Sequence, residues 1–247
     1  MPRRVLGGLA CEIVESVAVG DRPSLAVILC HGYGAPADDL VPIGAELLKT
    51  DRAIDDGVRF YFPAAPLDLG PAGMPGGRAW WPIDMMRLVL AAQSGQWDSL
   101  RTGIPGGLNE AREHLTALIR DVQKETGLSL SRFVLGGFSQ GAMLSADVAL
   151  RLPEPVGALC LTSGSLVAES EWRPLAARQR PLRVVLSHGR QDPVLPYAGA
   201  EALRDLLVDN GHDVEFLPFD GGHTIPWPAL HAVSRLLAEL AGQGDAL

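Results

Sequence analysis

The stretch that most constrains this chain runs Phe133-Val134-Leu135-Gly136-Gly137-Phe138-Ser139-Gln140-Gly141-Ala142. Its first three residues are a short apolar run of the kind that forms a buried strand, and a helical stretch begins at about Gln140. Between them lies Gly137-x-Ser139-x-Gly141. In a strand-then-helix setting this spacing describes a sharp turn that lifts one serine hydroxyl above the edge of a sheet. Glycine is needed on both sides of the serine because strand and helix approach so closely that a side chain would clash. Ala142 and Ala146 keep the next helical face thin, again allowing close approach to the sheet. Gly-x-Ser-x-Gly also occurs by chance in ordinary loops. The test is therefore whether the chain supplies a base, an orienting acid and an oxyanion site in a workable order.

The surrounding pattern predicts alternating strands and helices. Residues 25–30 are continuously apolar, the mark of a strand buried on both faces, and 58–62, 158–161, 183–188 and 215–219 read as further strands. Residues 11–19 suggest an edge strand or hairpin. Apolar residues recur at helical spacing in four places: Leu40, Ile43, Leu47 and Leu48; Leu108 to Val122, stopped by Gly127; Leu203, Leu206 and Leu207; and Leu230 to Leu240. Such alternation predicts a mostly parallel sheet with helices on both faces. With no repeat or linker in sight, residues 1–247 read as a single α/β domain, a length sufficient for a substantial core. One stretch differs. Residues 63–107 carry Pro63, Pro66, Pro71, Pro75, Pro82 and Pro105, with Trp80, Trp81 and Trp97. A Pro/Gly-rich connection of that length reads either as a functional loop or lid, or as a surface excursion anchored by its tryptophans.

Composition removes several classes. The formal charge of −8 comes without any Lys/Arg cluster or stripe, which argues for an acidic soluble surface and against nucleic-acid binding. Cys11, Cys30 and Cys160 are odd in number and far apart, and so read as small buried hydrophobes, not as a disulfide framework or metal site. That suits a reducing cytoplasm. Arg3-Arg4 ahead of an apolar stretch ending at Cys11 hints at a lipoprotein leader, but the stretch is short and Gly8 stands where such a signal wants leucine. No run is long enough to span a bilayer, so stable membrane insertion is not expected.

In a doubly wound sheet, functional groups gather beyond the C-terminal ends of the strands. Four such ends carry reactive or flexible residues: His31-Gly32-Tyr33-Gly34, Ser139, Asp192 and His223. A serine hydroxyl is a poor nucleophile at neutral pH and needs a base, which in turn needs orienting. His223 is the best-placed base, because Gly221 and Gly222 let its loop bend over the sheet edge. His114 and His231 lie in amphipathic helices, His212 in a turn, and His188 and His31 at strand ends where structural roles are expected. Asp192 is the preferred acid, giving the order Ser, Asp, His. Asp220 is the rival, but it lies too close in sequence to His223 to reach its ring from one tight turn. The main-chain N–H groups of Tyr33 and Gln140 are the expected oxyanion donors, each worth about 3 kcal/mol. At position 140 the donor is the amide, not the glutamine side chain.

Together, Leu29-Cys30-His31-Gly32-Tyr33-Gly34, Gly136-Gly137-Phe138-Ser139-Gln140-Gly141, His188-Gly189-x-x-Asp192-Pro193-Val194 and Gly222-His223 resemble the phospholipase/carboxylesterase family of α/β-hydrolases, which includes bacterial carboxylesterases and acyl-protein thioesterases. The resemblance covers about residues 25–240. It implies a Ser-His-Asp hydrolase of carboxylic esters or thioesters, working without metal or cofactor on small-molecule substrates. Tyr33 stands where the family commonly has leucine. Trp80-Trp81-Pro82-Ile83-Asp84 resembles the family's Trp-Phe-Asp segment in altered form. With the large apolar side chains of the 63–107 loop, it makes Trp80 and Trp81 the expected lining of the acyl pocket. A thioesterase or lysophospholipase would use the same triad. A peptidase on this fold, or a binding protein that lost the chemistry, are the other readings, and a homodimer is left open.

Overall fold

The structure, a computed structural model of the chain, describes residues 3–18, 21–84 and 101–243. Its main sheet is built from β1 (Arg3–Leu6), β2 (Leu9–Glu15), β3 (Leu25–Cys30), β4 (Val58–Pro63), β7 (Phe133–Phe138), β8 (Ala158–Thr162), β9 (Arg183–Gly189) and β10 (Asp213–Phe219). A separate two-stranded ribbon, β5 (Leu67–Asp68) with β6 (Arg78–Ala79), follows β4. The order across the main sheet is β1-β2-β4-β3-β7-β8-β9-β10. The first two strands are antiparallel to their neighbours, and the six from β4 to β10 run parallel. This is the mostly parallel sheet that the alternating pattern predicts.

The helices of the described residues are α1 (Val41–Leu48), α2 (Arg52–Gly57), α3 (Leu108–Thr126), α4 (Gln140–Arg151), α5 (Glu169–Arg178), α6 (Tyr197–Asp209) and α7 (Trp227–Gly242). Side chains of a strand alternate between faces, and β3 shows how this divides the core. Ala26, Ile28 and Cys30 pack with residues of α3 to α6, while Leu25, Val27 and Leu29 pack with α1, α2 and α7. A strand covered on both faces needs apolar residues throughout, which is why residues 25–30 show no alternation.

Some elements lie beyond the sequence reading. The edge strand or hairpin expected at 11–19 is the second arm of a hairpin, β1 turning at Gly7-Gly8 into β2. The mostly exposed Arg-Arg-Val-Leu of β1 offers no apolar alternation to find. Helix α5 hides because charged residues surround Trp172, Leu175 and Ala176, and because Pro174 lies inside it. Helix α2 is one short turn with Ile54 as its buried anchor, capped by the Asp51 carboxylate accepting from the Ala53 N–H. Residues 85–100, including Trp97, lie outside the described residues, so the 63–107 lid is an expectation only in part open to description.

Topology puts the functional crevice at one place. From β3 the chain steps to β4 on one side and later to β7 on the other, and ligand crevices form where strand order reverses in this way. Cys30 and Gly137 are register partners, so the loop starting at His31 and the turn at Ser139 leave the sheet side by side.

Behind the crevice, α4 is fastened by a fully buried carboxylate. Asp147 meets Arg112 of α3 and Arg151 of its own helix, and accepts from Trp172 Nε1 of α5 at 2.8 Å. Arg151 and Arg112 also meet Glu171 on α5. A buried carboxylate with several donors stabilises by satisfying itself, and removing it would strand the arginines.

Candidate active site

Ser139 sits between β7 and α4 with φ 53° and ψ −116°. A positive φ at a non-glycine residue costs about 1–3 kcal/mol and persists only where its surroundings enforce it. Here the enforcement is visible. The Ser139 N–H donates to the Thr162 carbonyl at 2.9 Å, anchoring the turn to β8. The close approach inferred from the two glycines is real: a Cβ on Gly137 would lie 2.1 Å from the Cys30 carbonyl oxygen, and one on Gly141 2.0 Å from the same atom.

His223 Nδ1 donates to Asp192 Oδ2 at 2.6 Å. Asp192 Oδ1 accepts from the Val194 and Leu195 N–H groups at 2.8 and 2.9 Å. The carboxylate is fully buried, and burial alone would raise its pKa. The hydrogen bonds from His223, Leu195 and Val194 outweigh that and hold it below the ordinary carboxylate range. Asp220 is 86 % exposed and faces Arg190 at 3.8 Å, away from this arrangement. The His223 ring packs 4.7 Å from that of Phe138, the residue before Ser139. Its loop is tied down twice more, by Ser163 Oγ donating to the Thr224 carbonyl at 2.9 Å and by the Gln191 N–H donating to the Gly221 carbonyl at 3.0 Å.

Gln140 follows Ser139 directly, and Tyr33 lies in the loop that leaves β3. An atom at the Cβ position of Gly32 would lie 3.5 Å from Ser139 Cβ, so the His31–Gly34 loop runs directly beside the nucleophile. Among the described residues, neither the Tyr33 nor the Gln140 main-chain N–H has a partner. Gln140 opens α4, where free N–H groups and the helix dipole favour negative charge.

Both tryptophans of the expected pocket lining are buried. Trp80 is 1 % exposed and Trp81 3 %, both within the core that packs against β3 and α3. The indole Nε1 of Trp80 donates to the His31 carbonyl at 2.9 Å. An indole placed in a core needs a partner for its N–H, and this one is satisfied by the loop that starts at His31. The side chain of Gln140 also does more than its amide suggested. Fully buried, it accepts from the Trp80 N–H and donates to the Trp81 carbonyl, each at 2.9 Å.

The structural role expected of His188 at its strand end takes a specific form, and Ser163 escapes a reading of the sequence. His188 Nε2 donates to the Leu195 carbonyl at 3.1 Å and lies 3.3 Å from Asp192 Oδ2. Its spacing of four from Asp192 is the only signal in the chain. Ser163, with φ 50°, has none, since nothing marks a serine that will adopt a left-handed conformation. The three cysteines are buried and free, their thiols pushed up to about 12 by burial.

A largely parallel sheet with a strained serine turn at its switch point defines an α/β-hydrolase. A sequence model of the phospholipase/carboxylesterase family matches residues 10–240. The chain belongs to that family of serine hydrolases, which spans carboxylesterases and acyl-protein thioesterases. It is 29 % identical over 243 residues to acyl-protein thioesterase 1 of Mycosarcoma maydis, with 90 % of each chain covered. It is 30 % identical over 204 residues to the protein of the same name from Eremothecium gossypii, covering 81 % of each. Among solved structures it resembles esterase PE8, with TM-score 0.76 and 33 % identity over 94 % of this chain and 99 % of that one. A carboxylesterase from Mesorhizobium loti shares the fold, with TM-score 0.72 and 20 % identity over 96 % of this chain and 98 % of that one.

Proposed function

We propose that the protein is a serine carboxylesterase in which Ser139 is the nucleophile, His223 the general base and acid, and Asp192 the orienting acid. The observation that carries this reading is the 2.6 Å contact between His223 Nδ1 and a fully buried Asp192, beside a serine held at positive φ. With Nδ1–H committed to Asp192, Nε2 is left as the acceptor. Ser139 Oγ attacks the acyl carbonyl and its proton passes to His223 Nε2. The tetrahedral oxyanion is held by the Tyr33 and Gln140 amides. Collapse expels the alcohol or thiol, which takes the proton from His223. Water then gives a proton to His223 and attacks the acyl-enzyme, and Ser139 Oγ leaves reprotonated with release of the carboxylic acid. These residues carry the whole cycle, and the mechanism calls for no metal or cofactor.

A second reading is favoured by the nearly full-length similarity to acyl-protein thioesterase 1: the same residues would cleave an acyl thioester. A lysophospholipid is a third substrate class for the same triad. In either case we place the enzyme in the cytoplasm, acting on a small ester or thioester. The 63–107 segment would border the acyl group, with Trp81 at its base. The test is labelling by a fluorophosphonate probe, followed by a panel of nitrophenyl esters of graded length, acyl thioesters and lysophospholipids. Wild type should label and hydrolyse while Ser139→Ala does neither. Labelling that persists in Ser139→Ala would overturn the assignment.

A further inference from the structure

The contacts of Trp80 connect the two sides of the oxyanion site. Its main-chain N–H donates to Gln140 Oε1, and its indole N–H donates to the His31 carbonyl. Gln140 Nε2 completes the link by donating to the Trp81 carbonyl. The chain of contacts then continues through His31. Its Nε2 accepts from the Ala65 N–H at 3.1 Å, which places the proton on Nδ1, and Nδ1 donates to the Gly32 carbonyl at 2.8 Å. Burial holds His31 below the ordinary histidine range, against the pull of its bond to Gly32, and so keeps the Nε2 lone pair available. The Gly32–Tyr33 peptide is trans, so its carbonyl and its N–H point in opposite directions. A carbonyl gripped on the His31 side therefore turns the Tyr33 N–H to the other side of that peptide. Gly32 itself lies against Phe138 and Ser139.

We infer that Trp80 and His31 are positioning residues forming a strut between the two oxyanion donors: Trp80 fixes the spacing between residues 31 and 140, and His31 aims the Tyr33 amide. The inference rests on the hydrolase reading above. Neither side chain touches substrate. Both act on where two N–H groups point, which matters because a preorganised donor contributes only when aimed at the developing oxyanion.

The test uses the full chain. Trp80→Phe removes the indole N–H and keeps an aromatic ring. His31→Asn keeps a donor near the Nδ1 position, while His31→Gln places its amide near Nε2 and has none there. For each, kcat and KM are measured on a nitrophenyl ester, together with inhibition by a trifluoromethyl ketone, whose hemiketal oxyanion occupies the same hole. Complete loss of one donor costs about 10²–10³ in kcat, so misaiming one should cost about 10- to 100-fold. Trp80→Phe and His31→Gln should show that loss in kcat with little change in KM, and ketone inhibition should weaken in proportion. His31→Asn should restore most of what His31→Gln loses. Should Trp80→Phe fail to fold, the His31 pair decides alone. Equal activity of the two His31 variants, or a kcat loss without weaker ketone inhibition, overturns the strut. In those cases hydrolysis abolished by Ser139→Ala leaves the hydrolase reading standing. Hydrolysis that survives Ser139→Ala removes the reading itself.

Discussion

Ser139 and Asp192 are held in states that neither residue adopts in a free chain. The serine bears a backbone strain held by its N–H bond to β8. The aspartate is buried yet kept ionised by three donors. Ser139→Ala, His223→Ala and Asp192→Asn should each lower kcat by about 10⁴-fold with the fold intact, as expected when members of such a triad are removed. Asp220→Asn should stay close to wild type, since its carboxylate points into solvent. Steady-state kinetics with circular dichroism checks both, and an inactive Asp220→Asn beside an active Asp192→Asn would reverse the assignment. The distinction between the two acids is partly legible in the chain, because three residues of tight turn cannot bring a carboxylate round to the neighbouring imidazole. The role of His188 beside Asp192 is not, because it depends on how residues 192–195 fold back toward β9.

At the scale of elements, helix α4 joins the chemistry to the scaffold. Its first residue offers a free amide, and the Gln140 side chain holds the Trp80–Trp81 segment. The sequence reading assigns the donor at 140 to the amide and gives that side chain no part in it. The structure predicts instead that Gln140→Ala leaves the Trp80 N–H and the Trp81 carbonyl buried without partners, at about 1–3 kcal/mol each. Chemical denaturation of Gln140→Ala against wild type measures this, and an unchanged midpoint would show that water replaces the amide. Two turns further along, Asp147 binds α3, α4 and α5 through Arg112, Arg151 and Trp172. Asp147→Ala should cost about 3–5 kcal/mol, because it strands charged partners in a partly buried setting. A loss below about 1 kcal/mol would mean that Glu171 takes over both arginines.

For the molecule as a whole, His31, His188 and His212 share one property: burial drives all three below the ordinary histidine range. An unfolded histidine takes up its proton near pH 6.5, while these resist it until lower pH. The unfolded state therefore binds more protons as pH falls through that window, and stability present above about pH 6.5 is lost below it. The thermal midpoint should drop between pH 7.5 and 5, and His212→Asn should make that drop shallower. A midpoint flat over this range would contradict the burial of these rings. The mostly parallel sheet, the alternation of its elements and the turn at Ser139 could be read from the chain because each is local: an apolar run, a helical period, a glycine beside a serine. Helix α5 and β1 could not, since their stability comes from docking and not from their own periodicity. The sequence by itself determined which residue types stand at the strand ends, because backbone geometry there tolerates few alternatives. Only the tertiary structure decided that Trp80 meets His31 and Gln140. Where an indole points is set by which buried carbonyl lies within reach of its N–H, and that pairing joins residues 49 positions apart.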